Sequence, residues 1–152
     1  MRHKPKDANY EARIRASFAR QTFMNVLGAQ LEEVTPGEVV IGLPFRDELT
    51  QQHGFLHAGV IASVVDSACG YAALSLMPAD AGVLSVEFKI NMLAPAAGER
   101  FRAIGRVIRA GRTLTVCAGE LHAERAGTNN STVVAVMQAT MIAVQGREGV
   151  AD

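Results

Sequence analysis

The chain has no tryptophan, only 5% aromatic residues and two cysteines in 152 residues, and neither sign of charge is in excess. Each shortage excludes something. With 15 Lys+Arg balanced by 15 Asp+Glu, the basic surplus that marks a nucleic-acid binder is missing. Cys69 and Cys117 fall in different expected elements and form no C-x-x-C pair, so they read as buried free thiols rather than a disulfide framework or a zinc site. The opening MRHKPKDANY is followed by the mixed stretch EARIRASFAR instead of an apolar run, which argues against a secretory signal and gives a cytoplasmic expectation.

What is present is apolar but small. Hydrophobic residues make up 49% of the sequence, and 24 Ala and 16 Val supply much of that. This is far from the signature of disorder, and a chain of this length is expected to bury roughly 70% of its unfolded surface in one domain. A core of small side chains implies close backbone packing. The expectation is a single domain over 1–152, with an N-terminal helix at about 8–27 and a core at about 28–146. Ile14, Phe18 and Phe23 recur near helical spacing in the first part, and Gly28 suits its end.

Strand-like runs flank Pro36-Gly37, a dipeptide suited to a tight turn, and read as a hairpin. After Gly82 the pattern is again β, in four runs: VLSVEFKINML, ERFRAIGRVIRA, RTLTVCAGELHAE and STVVAVMQATMIAV. Two strands, a long buried helix and four strands make an antiparallel α+β domain.

The stretch Leu49 to Ala79 has one formally charged side chain, Asp66. Its second part, AGVIASVVDSACGYAALSLM, suits a buried helix of about five turns. A central aspartate, several small residues and the lack of basic flanks argue against a membrane span. Val60, Ile61, Val64, Val65, Tyr71, Leu74 and Leu76 suit burial against a sheet. Gly59, Ser63, Asp66, Gly70 and Ala73 form a row of small residues around the acid, which would pack on a second helix or line a ligand slot. Gly70 in mid-helix suggests a close backbone approach there.

A carboxylate in such surroundings is costly to ionise and its pKa rises. It either fixes the fold through hydrogen bonds or acts as a functional acid-base group. The helix start, in QQHGFLHAGV, presents unpaired N–H groups near Ala58 and Gly59 that suit an anion or a developing oxyanion. Ala58 and Asp66 are eight residues apart, about 12 Å along a helix, whereas a general base must come within about 3 Å of its target. One helix therefore cannot bring both to one carbonyl. Two helices packed antiparallel about a two-fold axis can, so a site built from these groups is shared between subunits.

The series Gln51-Gln52-His53-Gly54-Phe55-Leu56-His57-Ala58-Gly59, followed by Val65-Asp66-Ser67-Ala68, resembles the signature of hotdog-fold acyl-CoA thioesterases of the phenylacetate-degradation type, N-x-x-G-x-x-H-G-G-x-x-x-x-x-x-D. Residues 85–91 and 109–113 resemble later segments of that family, and the likeness covers about residues 20–145. It implies a hotdog fold, a long helix wrapped by a curved antiparallel sheet, with dimers that join two sheets into one and frequent tetramers. It also implies catalysis by Asp66 as general base or nucleophile, acting across the dimer interface on a thioester whose carbonyl oxygen accepts the Ala58 N–H. Ser85 would position water or the acid, and His57 and Gln51 would order the site or contact the thioester. Two positions depart from the pattern: Ala58 replaces the first Gly after His, and Gln51 replaces Asn.

The expected partner is an acyl-CoA, with coenzyme A entering as part of the substrate and no separate cofactor. Gly59, Arg109 and Arg112 are the candidates for contacting coenzyme A, the arginines through its phosphates. Nucleic acid and membrane are not expected partners, whereas a homodimer or homotetramer is. His53 and His57 lack a third ligand for a metal. A non-catalytic acyl-CoA binder on the same fold is the competing reading, and a hotdog dehydratase is disfavoured by the lack of a suitable His-acid pair. Acyl length depends on how Phe55, Tyr71, Met77 and the N-terminal helix are arranged.

Overall fold

The computed structural model describes residues 3–127 and 130–152. Its element order is α1 (Tyr10–Arg20), α2 (Thr22–Leu27), β1 (Gln30–Thr35), β2 (Glu38–Pro44), a short 3-10 turn (Asp47–Leu49), α3 (Ala58–Leu74), β3 (Ala81–Met92), β4 (Arg100–Ala110), β5 (Leu114–Glu124) and β6 (Ser131–Gln145). The six strands form one antiparallel sheet in the order β1-β2-β4-β5-β6-β3, so β1 and β3 are its edges. The sheet wraps α3, which is the hotdog arrangement.

The helix expected at about 8–27 is divided at Gln21, whose backbone is extended (φ −77°, ψ 92°). The stripe that starts with Ile14 and Phe18 would continue, in an unbroken helix, through Gln21 and Asn25. The break changes the phase: Met24 and Leu27 become buried, and Phe23, expected on the apolar face with Ile14 and Phe18, is exposed instead. Gly28, at φ 74°, then turns the chain into β1.

The Pro36-Gly37 hairpin forms as expected, with Gly37 at φ 84° joining β1 to β2. α3 stops three residues short of the run that reads as helical in sequence. The buried Ser75 hydroxyl donates to the Ala72 carbonyl at 2.6 Å and accepts the Gly37 N–H at 2.7 Å, tying the helix end to the β1–β2 turn. Arg13 supplies the rest of the cap, donating to the carbonyls of Leu74 (3.1 Å), Met77 (3.2 Å) and Pro78 (2.5 Å).

The close approach implied by the Ala- and Val-rich composition is present, but glycines of the sheet provide it. A Cβ on Gly105 of β4 would overlap the Ala68 carbonyl and the Cys69 nitrogen. A Cβ on Gly119 of β5 would collide with the Val65 side chain and the Cys69 Sγ. At Gly70, where a close contact is suggested by the sequence, an added Cβ meets nothing within 4 Å. Within the chain, the small face of α3 is therefore open from Gly59 to Gly70 and closes at Ala73, which is buried, as are Ile61, Val64, Val65, Ala68, Cys69 and Leu74 against the sheet. Both cysteines are free and buried, which pushes the Cys117 thiol up to about 12.

The β3 edge is long and exposes Leu84, Val86 (53%), Phe88 (43%) and Met92. A bulge between Ser85 and Glu87 inserts Val86 where β3 pairs with β6. Among the described residues, no helix is long and apolar enough to cross a membrane.

Candidate active site

The segment before α3 is a compact turn. Gly54 adopts φ 81°, the Gln51 N–H donates to the Phe55 carbonyl at 2.9 Å, and the Gln51 side chain accepts from the His53 N–H. The His57 N–H donates to the Leu49 carbonyl at 2.9 Å, which fixes where the helix begins. His57 is the N-cap: its Nδ1 accepts the Gly59 N–H at 2.8 Å, so in the neutral ring the proton is on Nε2.

This corrects one expectation. The Gly59 N–H is not unpaired, because His57 satisfies it. Ala58, the first residue of the helix, is exposed, and its N–H has no acceptor among the described residues. It opens on a cavity of about 430 Å³ lined by Gln51, Phe55, Ala58, Ile61, Met92 and Leu93, among others.

Asp66 lies two turns further on, on the open face of α3. Its Oδ1 accepts the Ser85 hydroxyl at 2.8 Å, and the Ser85 Oγ is 3.4 Å from the Met141 Sδ. Ser85 immediately precedes the β3 bulge, a feature that re-aims side chains beside functional sites. Burial raises the Asp66 carboxyl above its ordinary 3.8, and the Ser85 hydrogen bond, which favours the charged form, partly opposes this. A partly buried carboxylate with one oriented donor is suited to take a proton or to attack an electrophile.

A second cavity, of about 130 Å³, opens beside Asp66 and is lined by Gln21, Gly70, Tyr71, Ser85 and Asp152. The Tyr71 hydroxyl is 3.4 Å from the Ser17 Oγ, and its ring packs edge-on against Phe18. The Gln21 Oε1 is buried with no partner among the described residues, leaving an acceptor available to whatever enters.

The sequence-expected groups thus separate into two places: Gln51 and Ala58 at the helix start, Asp66 and Ser85 in the middle. Arg109 and Arg112 are exposed at the β4–β5 hairpin and line neither cavity. The neighbouring arginines are neutralised across strands. Arg100 pairs with Glu32, Arg102 reaches Glu32 (3.3 Å) and Glu33 (3.1 Å), and Arg106 holds Glu38 at 2.7 Å. Sequence reasoning missed Gln21, Ser17 and Asp152. They come from segments distant along the chain, and only Gln21 carries a hint, as the polar residue that interrupts an apolar stripe.

The thioesterase superfamily family model matches residues 53–129, half of the chain, and spans the helix start, Asp66 and Ser85. The chain belongs to this superfamily. Human acyl-coenzyme A thioesterase 13 is 32% identical over 110 residues, 71% of this chain and 78% of that protein. A Saccharolobus solfataricus protein named as an esterase is 37% identical over 94 residues, and the match spans 62% of this chain and 64% of that protein. Among solved structures, a thioesterase family protein from Silicibacter pomeroyi superposes with a TM-score of 0.87 at 50% identity, covering 90% of this chain and 99% of the other. The E. coli PaaI protein shares the fold, with a TM-score of 0.80 at 19% identity over 93% of this chain and 97% of its own.

Proposed function

We propose that this superfamily member hydrolyses acyl-CoA thioesters at a site made by two copies of the chain. The observation that carries the reading is the separation of Asp66 from the free Ala58 N–H. They open on different cavities and stand about 12 Å apart along one straight helix. Neither cavity alone holds both Asp66 and the free backbone N–H of the helix start. The exposed apolar edge of β3 supports a partner copy of the same chain, added strand to strand, because a long, exposed, hydrophobic edge otherwise invites uncontrolled pairing. A two-fold axis at that edge would bring Asp66 towards Ala58 of the partner subunit.

In the general-base route the Asp66 carboxylate removes a proton from water as the water oxygen bonds to the thioester carbonyl carbon. The negative charge then develops on the carbonyl oxygen, against the N–H at the helix start, where the helix dipole adds to the stabilisation. Collapse of the tetrahedral intermediate breaks the C–S bond, and the proton on Asp66 passes to the leaving sulfur. The products are a carboxylic acid and free coenzyme A. In the nucleophilic route the Asp66 carboxylate itself attacks the carbonyl carbon, the C–S bond breaks as coenzyme A leaves as the thiolate, and water then opens the resulting anhydride to the free acid and the Asp66 carboxylate. Both routes need Asp66 ionised, and in both Ser85 positions the carboxylate. Arg109 and Arg112 are proposed only as outer contacts for coenzyme A phosphates.

The test is thiol release from short, medium, long and aromatic acyl-CoAs by the wild type and Asp66→Asn, with molar mass measured by light scattering. A fall of about 10²–10⁴ in kcat is expected, since that is the usual contribution of a positioned general base. Equal rates in the two proteins, or an active monomer, would overturn the mechanism.

A further inference from the structure

The lining of the 130 Å³ cavity beside Asp66 includes Asp152, which lies in the segment after β6, outside helix and sheet. After β6, Gly146 (φ 66°) and Gly149 (φ 77°) turn the chain back, and the Val150 N–H donates to the Arg147 carbonyl at 3.1 Å. The returning segment lies on the start of β3. A Cβ on Gly82 would come within 2.8 Å of the Val150 Cγ1 and 3.2 Å of its carbonyl, so this approach requires the glycine.

Asp152 then fastens the segment at two points. Its Oδ2 accepts the Val83 N–H at 2.9 Å and its Oδ1 accepts the Ser17 hydroxyl at 2.7 Å. The Val83 N–H is on the free side of β3: in the paired position on β6, the Ala143 N–H turns away to the Thr113 carbonyl at 2.9 Å. One carboxylate thus joins the sheet edge to α1 and forms part of the cavity wall.

We propose that the segment 146–152, pinned by Asp152, is the end wall of the acyl pocket and restricts it to short, uncharged acyl groups. The proposal rests on the thioesterase reading above. The cavity has room for about four water molecules, which suits a few carbon atoms and excludes the pantetheine and nucleotide of coenzyme A. A carboxylate in the wall also repels phosphate, so the acyl side of the thioester is what enters. The same charge rejects acyl groups that end in a carboxylate.

The test compares wild type, Asp152→Ala, Asp152→Asn and a deletion of residues 146–152. Two readouts are used: kcat/KM for straight-chain acyl-CoAs of two to twelve carbons and for glutaryl-CoA, and calorimetric binding of non-hydrolysable S-hexyl- and S-dodecyl-CoA. In the deletion and in Asp152→Ala, the long-to-short ratio of kcat/KM rises at least tenfold, and S-dodecyl-CoA gains affinity relative to S-hexyl-CoA. Asp152→Asn, which keeps an acceptor for the Val83 N–H, retains the length profile and gains activity towards glutaryl-CoA. A deletion variant that melts cooperatively and keeps the wild-type ratios in both readouts would overturn the wall. A wild type that hydrolyses none of the thioesters would overturn the thioesterase reading instead, and the binding ratio alone would then decide the wall.

Discussion

Two inactive variants of this protein should restore each other. Asp66→Asn removes the proposed base and keeps an acceptor for the Ser85 hydroxyl, which reaches Oδ1 at 2.8 Å. Ala58→Pro removes the free N–H at the helix start with little other disturbance. Ala58 is the first residue of α3, where proline is well tolerated, and His57 before it already has the extended backbone (φ −64°, ψ 138°) that a following proline demands. Losing one oxyanion donor costs about 10²–10³ in kcat, and losing the base about 10²–10⁴. Each parent should therefore keep no more than about 1% of wild-type activity.

If the site spans two subunits, a heterodimer of the variants has one site with both defects and one with neither. Random exchange of equal amounts makes half the dimers mixed, each with one working site of two, so the mixture recovers about a quarter of wild-type activity. That is at least about 25 times the parental level. A coupled thiol-release assay reads the recovery, and orthogonal affinity tags verify that mixed dimers form. Mixed dimers no more active than the mean of their parents would refute the shared site, because a site within one subunit is dead in every combination.

The remaining predictions concern titration and packing. Activity should rise with pH through the raised pKa of Asp66. Ser85→Ala should move that acid limb to still higher pH by removing the hydrogen bond that favours the carboxylate, so a pH–rate profile with an unmoved limb would contradict the role given to Ser85. Because the folded protein holds the Asp66 proton more tightly than the unfolded chain, stability is lost as pH rises from 3.8 through the folded pKa. Asp66→Asn should therefore melt higher than wild type near neutral pH while losing activity; an unchanged or lower Tm would refute the desolvation argument. The same glycine-to-alanine change should act with opposite sign at two places. Gly105→Ala forces a methyl onto the backbone of α3 and should lower Tm by about 2–12 °C, for about 1–3 kcal/mol of overpacking. Gly70→Ala meets nothing within 4 Å, gains about 1 kcal/mol of helix propensity and should raise Tm by about 2–4 °C.

Most of the fold can be read along the chain because its signals are local. The four later strands lie within about two residues of their alternating runs, since turn residues such as Gly111 end them sharply. The two errors in the helices have non-local causes. α3 ends at Leu74 because Ser75 and Arg13 bind it to the β1–β2 turn and to α1, contacts that no window of sequence contains. The N-terminal helix breaks at Gln21 because Met24 and Leu27 bury more apolar surface than Asn25 would.

The site divides in the same way. Asp66, Ala58 and His57 can be read from one continuous stretch, because a lone acid in 31 otherwise uncharged residues and a glycine-flanked helix start are local features. That the two groups cannot meet within a subunit also follows from the helix rise alone. Ser85 required the resemblance, since a serine in mid-strand has no chemistry until the register of β3 against β6 and the bulge after it aim the hydroxyl at Oδ1. Asp152 was out of reach because its role needs three segments at once: β3 to offer an N–H, α1 to offer a hydroxyl, and two left-handed glycines to return the chain between them. The chemistry proposed for the site is thus written locally in α3. The proposed limits on what it accepts rest instead on long-range contacts such as those of Asp152, which can change without disturbing the helix or the acid.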